Sequence, residues 1–362
     1  MSPCFALLQF NKSISLHSYA SPPLDRPIYD MCEGSYPKTA SWMEDKECCS
    51  WDGVECDKTT GHVIGLDLGC SWLKGSIHSN SSLFFLRHLR RLNLAGNYFN
   101  HSLLPSEFGK FKSLTHLNLS YSGFSGQIPY EISQLSSLVS LDLSYNWLLI
   151  ETPVWKRVVD NLTQLRELLL DHKYGKLEDN ILCLPSLQTL NLGGNWQLEG
   201  YIPSSFGNLT NLEWLDLSSN KLTGEIPTQL VDLSWLEVLN LSQNQLTGHI
   251  PTGKQFNTFE NDSYTGNLGL CGYPLSRTCN NHEAKQPPLS TLQQEDNLEP
   301  NNGFGWKAVS IGYGCGAIFG MFMGYIMFKI GKPKWLVRMV KLEQHIMLRR
   351  LKNNAHRRGG RR

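Results

Sequence analysis

The stretch Asn208–Pro251, NLTNLEWLDLSSNKLTGEIPTQLVDLSWLEVLNLSQNQLTGHIP, says one phrase twice. The phrase L-x-x-L-x-L-S-x-N-x-L-T-G-x-I-P runs from Leu212 to Pro227 and again from Leu236 to Pro251, 24 residues later. Leu215 and Leu217, like Leu239 and Leu241, alternate with polar residues, as a short strand with one buried face requires. Asn220 and Asn244 follow where the chain must turn. An amide there pairs with backbone groups of adjacent coils that burial would otherwise leave unsatisfied. Two chance leucine-rich helices are excluded by Pro227 and Pro251, since proline fixes φ and biases its predecessor away from the helical region.

Leucines in this order at this period are the signature of a leucine-rich repeat. Working outward, the first strand leucine of each coil falls at Leu66, Leu92, Leu117, Leu141, Leu168, Leu190, Leu215 and Leu239, at intervals of 22 to 27 residues. Eight coils over residues 62–251 predict an α/β solenoid with a parallel sheet on its concave face, an arc of roughly 40 Å at about 4.8 Å per strand. The middle is irregular. Ser122 and Lys173 stand where asparagine is expected, and Glu151–Leu177 lacks the L-x-G-x-I-P tail.

Of ten cysteines, Cys4, Cys32, Cys48, Cys49, Cys56 and Cys70 lie in the first fifth of the 362 residues, and Cys271 and Cys279 follow the last repeat. Terminal coils of a solenoid expose their leucine core unless capped, so these clusters read as disulfide-stapled caps made in an oxidising compartment. A zinc site is the competing reading, weakened by the lack of any C-x-x-C pair. Cys183 has no assigned role. Met1–Phe10 has no basic n-region and reads as the first helix of the cap, not as a secretory leader.

The C-terminal part changes character. Residues 282–307 form a polar linker with an acidic excess. Residues 308–328 carry no charge for 21 residues, about 31 Å as a helix, which matches a bilayer core. Trp306 and Trp335 flank that span, and residues 329–362 hold 12 Lys+Arg against one acid. The rest of the chain has 21 bases against 31 acids, so the net charge of +1 averages an acidic body and a basic tail. That division points to two sides of a membrane and not to nucleic acid. Basic residues are retained in the cytoplasm, so the repeats are expected outside and the tail inside, a single-pass type I plasma-membrane protein. Roughly 300 residues preceding the span would translocate poorly without an N-terminal signal. The tail also has the apolar spacing of an amphipathic helix on the inner leaflet, with a plain stop-transfer anchor as the alternative.

Two motifs are more specific. C-C-x-W-x-G-V-x-C (Cys48–Cys56) precedes the first repeat, and I-P-x-G-x-Q-F-x-T-F-x-x-x-S-Y-x-G-N-x-G-L-C-G-x-P-L (Ile250–Leu275) closes the array as a cap over 252–281. They resemble the caps of plant leucine-rich-repeat receptor-like proteins of the fungal-resistance type, which carry an ectodomain and one span but no kinase. The resemblance implies Cys4–Cys48 and Cys49–Cys56 bonds, with Cys32–Cys70 left by elimination and Cys271–Cys279 in the C-terminal cap, residues 1–61 forming the N-terminal one. It also implies an extracellular peptide or protein ligand, pathogen-derived or developmental, and signalling through adaptor and co-receptor kinases. A shortened decoy or gene fragment, and a soluble inhibitor of wall-degrading enzymes, are the alternatives, the last opposed by the span.

The chain contains no G-x-x-x-x-G-K-[ST], H-E-x-x-H, G-x-S-x-G or kinase motif, so no enzyme, cofactor or metal is expected. Gly312, Gly316, Gly320 and Gly324 recur every fourth residue, a stripe that lets a partner helix approach closely, although glycine is also common in spans generally. The concave face is the candidate ligand surface, with His116, Tyr121, Tyr145, Arg166, His172, Glu213, Trp214 and Asp216 on it. Sequons at Asn11, Asn80, Asn100, Asn118, Asn161, Asn208, Asn240 and Asn261 suit a glycosylated ectodomain, and sugars on Asn118 and Asn240 would cover part of that face.

Overall fold

A computed structural model describes residues 2–20, 32, 34–149, 152–170, 174–177, 184–195 and 197–279. The expected linker, span, glycine stripe and basic tail, together with His172 and Cys183, lie outside the described residues. Among those described, no helix is long and apolar enough to cross a membrane.

The eight strand leucines sit one above another. Register pairs Leu66 with Leu92, Leu92 with Leu117, and so on through Leu141, Leu168, Leu190 and Leu215 to Leu239, every pair parallel. All eight are buried, and the leucine two residues on is buried in each coil, so alternation places one column of side chains inward and leaves the next outward. A ninth strand, Val54–Cys56 of the N-terminal cap, adds antiparallel beside Val63–Asp67 and closes that end of the sheet.

The segments that follow the turn asparagines, several of them L-x-G-x-I-P tails, form further parallel strands. Tyr174–Leu177, Gln197–Tyr201, Lys221–Gly224, Gln245–His249 and Gly269–Cys271 run parallel in sequence order, while Ser125–Gln127 pairs with Trp147–Leu149. Glycine is required in these tails. Gly224 has φ 79°, and a Cβ there would stand 2.4 Å from the Tyr201 ring. Proline then ends the strand and starts a single 3-10 turn on the convex side, as at Tyr130–Gln134, Ser204–Asn208 and Thr228–Asp232. Between sheets and turns the filling is leucine with phenylalanine, including Phe99 stacked on Phe124 at 4.9 Å. In the irregular fourth coil an α-helix, Thr152–Asn161, stands where its neighbours have a 3-10 turn, and this accounts for the longest interval.

The turn asparagines form a buried column. Asn146 Nδ2 donates to the carbonyls of Leu119, Leu143 and Ser144 at 2.7–3.1 Å, and its Oδ1 accepts from the N–H groups of Ser122 and Phe124 in the preceding coil. Asn97, Asn195, Asn220, Asn244 and Asn267 donate in the same way. Ser122 reaches one carbonyl of the coil before it, Leu94 O, and one of its own coil, Ser120 O.

Both ends are capped. Helix Pro3–Ser13 buries Ala6, Leu7 and Phe10, with Ser2 Oγ accepting from Phe5 N–H as an N-cap. Cys4–Cys48, Cys32–Cys70 and Cys49–Cys56 are bonded there, and Trp42 stacks on Trp51. At the other end Phe256, Phe259, Tyr264 and Leu270 cover the last coil, with Cys271 bonded to Cys279.

Candidate functional site

The concave face is lined by the residues flanking each strand leucine. Just after it stands a column of Asp or Asn: Asp67, Asn93, Asn118, Asp142, Asn191, Asp216 and Asn240. Each Oδ1 accepts the N–H two residues on, at 2.8–3.2 Å. This Asx turn ends the strand and bends the chain away. Asp216 is therefore committed through Oδ1 to its own backbone, and its Oδ2 accepts from Asn240 Nδ2 at 3.4 Å. Asn118 and Asn240, the two sequon asparagines on this face, are held in the same turns, and the sequon serines Ser120 and Ser242 also donate their hydroxyls to them at 2.7 Å.

Just before the leucine stand the more variable side chains. His116, Arg166 and Glu167 are exposed, and His116 Nδ1 lies 2.8 Å from Thr115 Oγ1. Trp214 is 44% exposed, and beside it Glu213 accepts from Gln188 Nε2 at 3.0 Å. Arg91 is paired with Glu55 of the cap. Three residues of the anticipated surface thus fall on one strand and its approach, Trp214 exposed, with Glu213 held by Gln188 and Asp216 by its own turn and Asn240.

Tyr121 and Tyr145 are placed differently from the other candidates. They lie past the strands, at the residue that enters the turn, with φ of 51° and 53°. Cys70, Gly96, Gly194, Ser219, Gln243 and Gly266 occupy the same left-handed position in other coils. Their rings stack face to face at 3.8 Å and 12°, forming one unit on the margin of the concave sheet. Sequence reasoning missed Trp147, Tyr201 and Trp235, all well exposed. The available signal was an aromatic at a template position that is polar in neighbouring coils, such as Trp147 opposite Lys221 and Gln245. Among the described residues no group of three or more His, Cys, Asp or Glu is gathered to hold a metal.

Leucine-rich-repeat family profiles match residues 185–246, 88–111 and 113–135. Receptor-like protein 6 of Arabidopsis thaliana is 35% identical over 236 residues, covering 56% of this chain and 24% of its own. Receptor-like protein Cf-9 of Solanum pimpinellifolium is 40% identical over 223 residues, covering 59% and 25%. The chain carries leucine-rich repeats and is similar to plant receptor-like proteins. It spans about a quarter of the length of these relatives. Among solved structures, the chain is similar to the Arabidopsis receptor kinase HAESA in complex with the peptide hormone IDA and the co-receptor SERK1. The likeness has a TM-score of 0.50 at 26% identity, over 71% of this chain and 48% of that one.

Proposed function

We propose that this chain is a receptor-like protein that binds an extracellular peptide or protein ligand at the cell surface and signals in plant defence through a partner receptor kinase. The observation that carries the reading is the concave face. It is a continuous sheet whose outward positions hold the exposed Trp214 on the strand that also carries Asp216, with the Tyr121–Tyr145 stack at its margin. Rigid aromatics with few rotamers give large contact area at low entropic cost, and carboxylates beside an indole favour a basic ligand side chain. Kinship with receptor-like proteins and likeness to a peptide-bound ectodomain support the same reading. Phosphorylation would come from a kinase paired through the glycine stripe of the proposed span.

Co-purification from plant membranes tests the pairing. Replacing Gly316 and Gly320 with Leu keeps the span apolar but thickens its contact face, so recovery of the partner kinase should fall with membrane insertion unchanged. Undiminished recovery would move recognition to the ectodomain.

A further inference from the structure

We infer a second binding surface on the flank of coils two to four, suited to a neutral carbohydrate chain. It deepens the receptor reading by naming a ligand class for a face outside the concave sheet.

The backbone marks the place. Phe99–Ser102 is a tight turn closed by Ser102 N–H donating to Phe99 O at 2.9 Å, with Asn100 and His101 both at φ 54°. Two successive left-handed residues are the type I′ geometry that ordinarily recruits Asn-Gly, and here histidine stands in the glycine position. Strained backbone of this kind persists only where the surroundings hold it, and it gathers at functional sites. Ser125 Oγ donates to His101 O and helps hold the turn. The result is that His101 is set against Tyr98 at 5.7 Å and against Trp147 at 6.1 Å, joining coil two to coil four.

Coil three gives up its side chains to make this possible. A Cβ on Gly123 would stand 3.0 Å from the Tyr98 ring, and one on Gly126 would stand 2.4 Å from Leu103 Cδ2. The side chains of coil two therefore lie across the glycines of coil three, and Trp147, 59% exposed, continues the surface. The platform spans about two strand spacings, roughly 10 Å. Its rings meet edge to face, Tyr98 on His101 at 90° and His101 on Trp147 at 62°, so the surface is stepped.

Its chemistry selects the occupant. Tyr98–Leu104, Tyr121–Ile128 and Tyr145–Leu149 contain no Asp, Glu, Lys or Arg, whereas the same flank of later coils is charged, with Glu199 beside Lys221. Lys74, across from Tyr98, has its ammonium at Tyr19. Protein interfaces also gather aromatic residues, so it is the neutrality of these three segments, with Leu103 the one strongly exposed aliphatic among their described residues, that favours a sugar over a protein. Rings with negative faces, half-buried at Tyr98 and exposed at His101 and Trp147, among neutral hydroxyls and amides such as Ser125 and Gln127, match the polarised C–H faces and hydroxyls of uncharged sugar rings.

The test uses the full chain, produced behind a foreign signal peptide and purified. Calorimetry and tryptophan fluorescence follow titration with cellohexaose, laminarihexaose and an acidic oligogalacturonide. One of the neutral hexasaccharides should bind. Trp147→Ala should weaken that binding about tenfold or more, the usual result of truncating an aromatic anchor, and Trp147→Phe should keep most of it. Trp235→Ala, exposed elsewhere, should leave it unchanged. Three results would overturn the inference: no binding of either neutral glucan, binding of the acidic oligomer alone, or equal affinity in Trp147→Ala. Capture of a secreted protein through Trp147 without glucan binding would make this face a protein interface instead. Kinase co-purification through Gly316 and Gly320 is read separately, so either idea can fail alone.

Discussion

Asn146 and Asn220 occupy the same place in their coils but are not equally satisfied. Asn220 donates to three carbonyls, yet its buried Oδ1 has no partner. The cause is one extra residue in the preceding turn. Leu198 stands three positions after Asn195, where Leu148 stands two after Asn146, and Leu198 N–H donates to Asn195 O at 2.7 Å. Replacing Asn146 with Ala strands several buried backbone groups and should cost about 3 kcal/mol, whereas Asn220→Ala should cost clearly less. Urea denaturation of the two variants checks the order, and equal losses would refute it. Tyr264 offers a different single-residue test. Burial raises its phenol above the usual tyrosine range, and its hydroxyl has no partner. A folded-state pKa above the unfolded value of about 10 means the contribution is complete below pH 10 and is lost as pH rises further. Tyr264→Phe should stay within about 1 kcal/mol of the parent at neutral pH and unfold less steeply in alkali. A pH titration of thermal stability decides it.

The caps and the sheet margin depend on how whole segments meet. Cys271–Cys279 closes a short loop over a terminal coil whose leucines have no further neighbour. Serine at both positions should lower stability by about 2–3 kcal/mol by chain entropy, and melt the C-terminal cap before the central coils. Hydrogen exchange resolved by segment would show this, and uniform loss of protection would argue against a separate cap. The repeat tails were legible as strand followed by proline turn, because proline and left-handed glycine admit few conformations. Helix Thr152–Asn161 was not legible. Pro153 in its first turn fits a helix start, but the absent repeat tail hid the element from a reading based on the template.

Across the full array, the sequons separate by face. Asn80, Asn100, Asn161, Asn208 and Asn261 are exposed, while Asn118 and Asn240 sit half-buried in the Asx turns of the concave sheet. Chain produced with a signal peptide should therefore carry sugar at Asn161 and Asn208, read as an endoglycosidase-sensitive mass shift lost in Asn→Gln variants. No sugar at either would contradict an ectodomain outside the membrane. The sequence alone determined the solenoid, the strand register and the stacking of one leucine on another, because a 24-residue period with alternating leucines has only one way to bury its apolar column. It also singled out the turn asparagines, since a buried turn needs a donor for its carbonyls. Only the tertiary structure decided which outward side chains meet. Tyr121 rests on Tyr145, and His101 reaches Trp147 past two glycines, from residues 24 and 46 positions apart. A repeat template states that such positions face solvent. Coil-to-coil spacing and the left-handed turns set which of them touch, and neither is written in any single repeat.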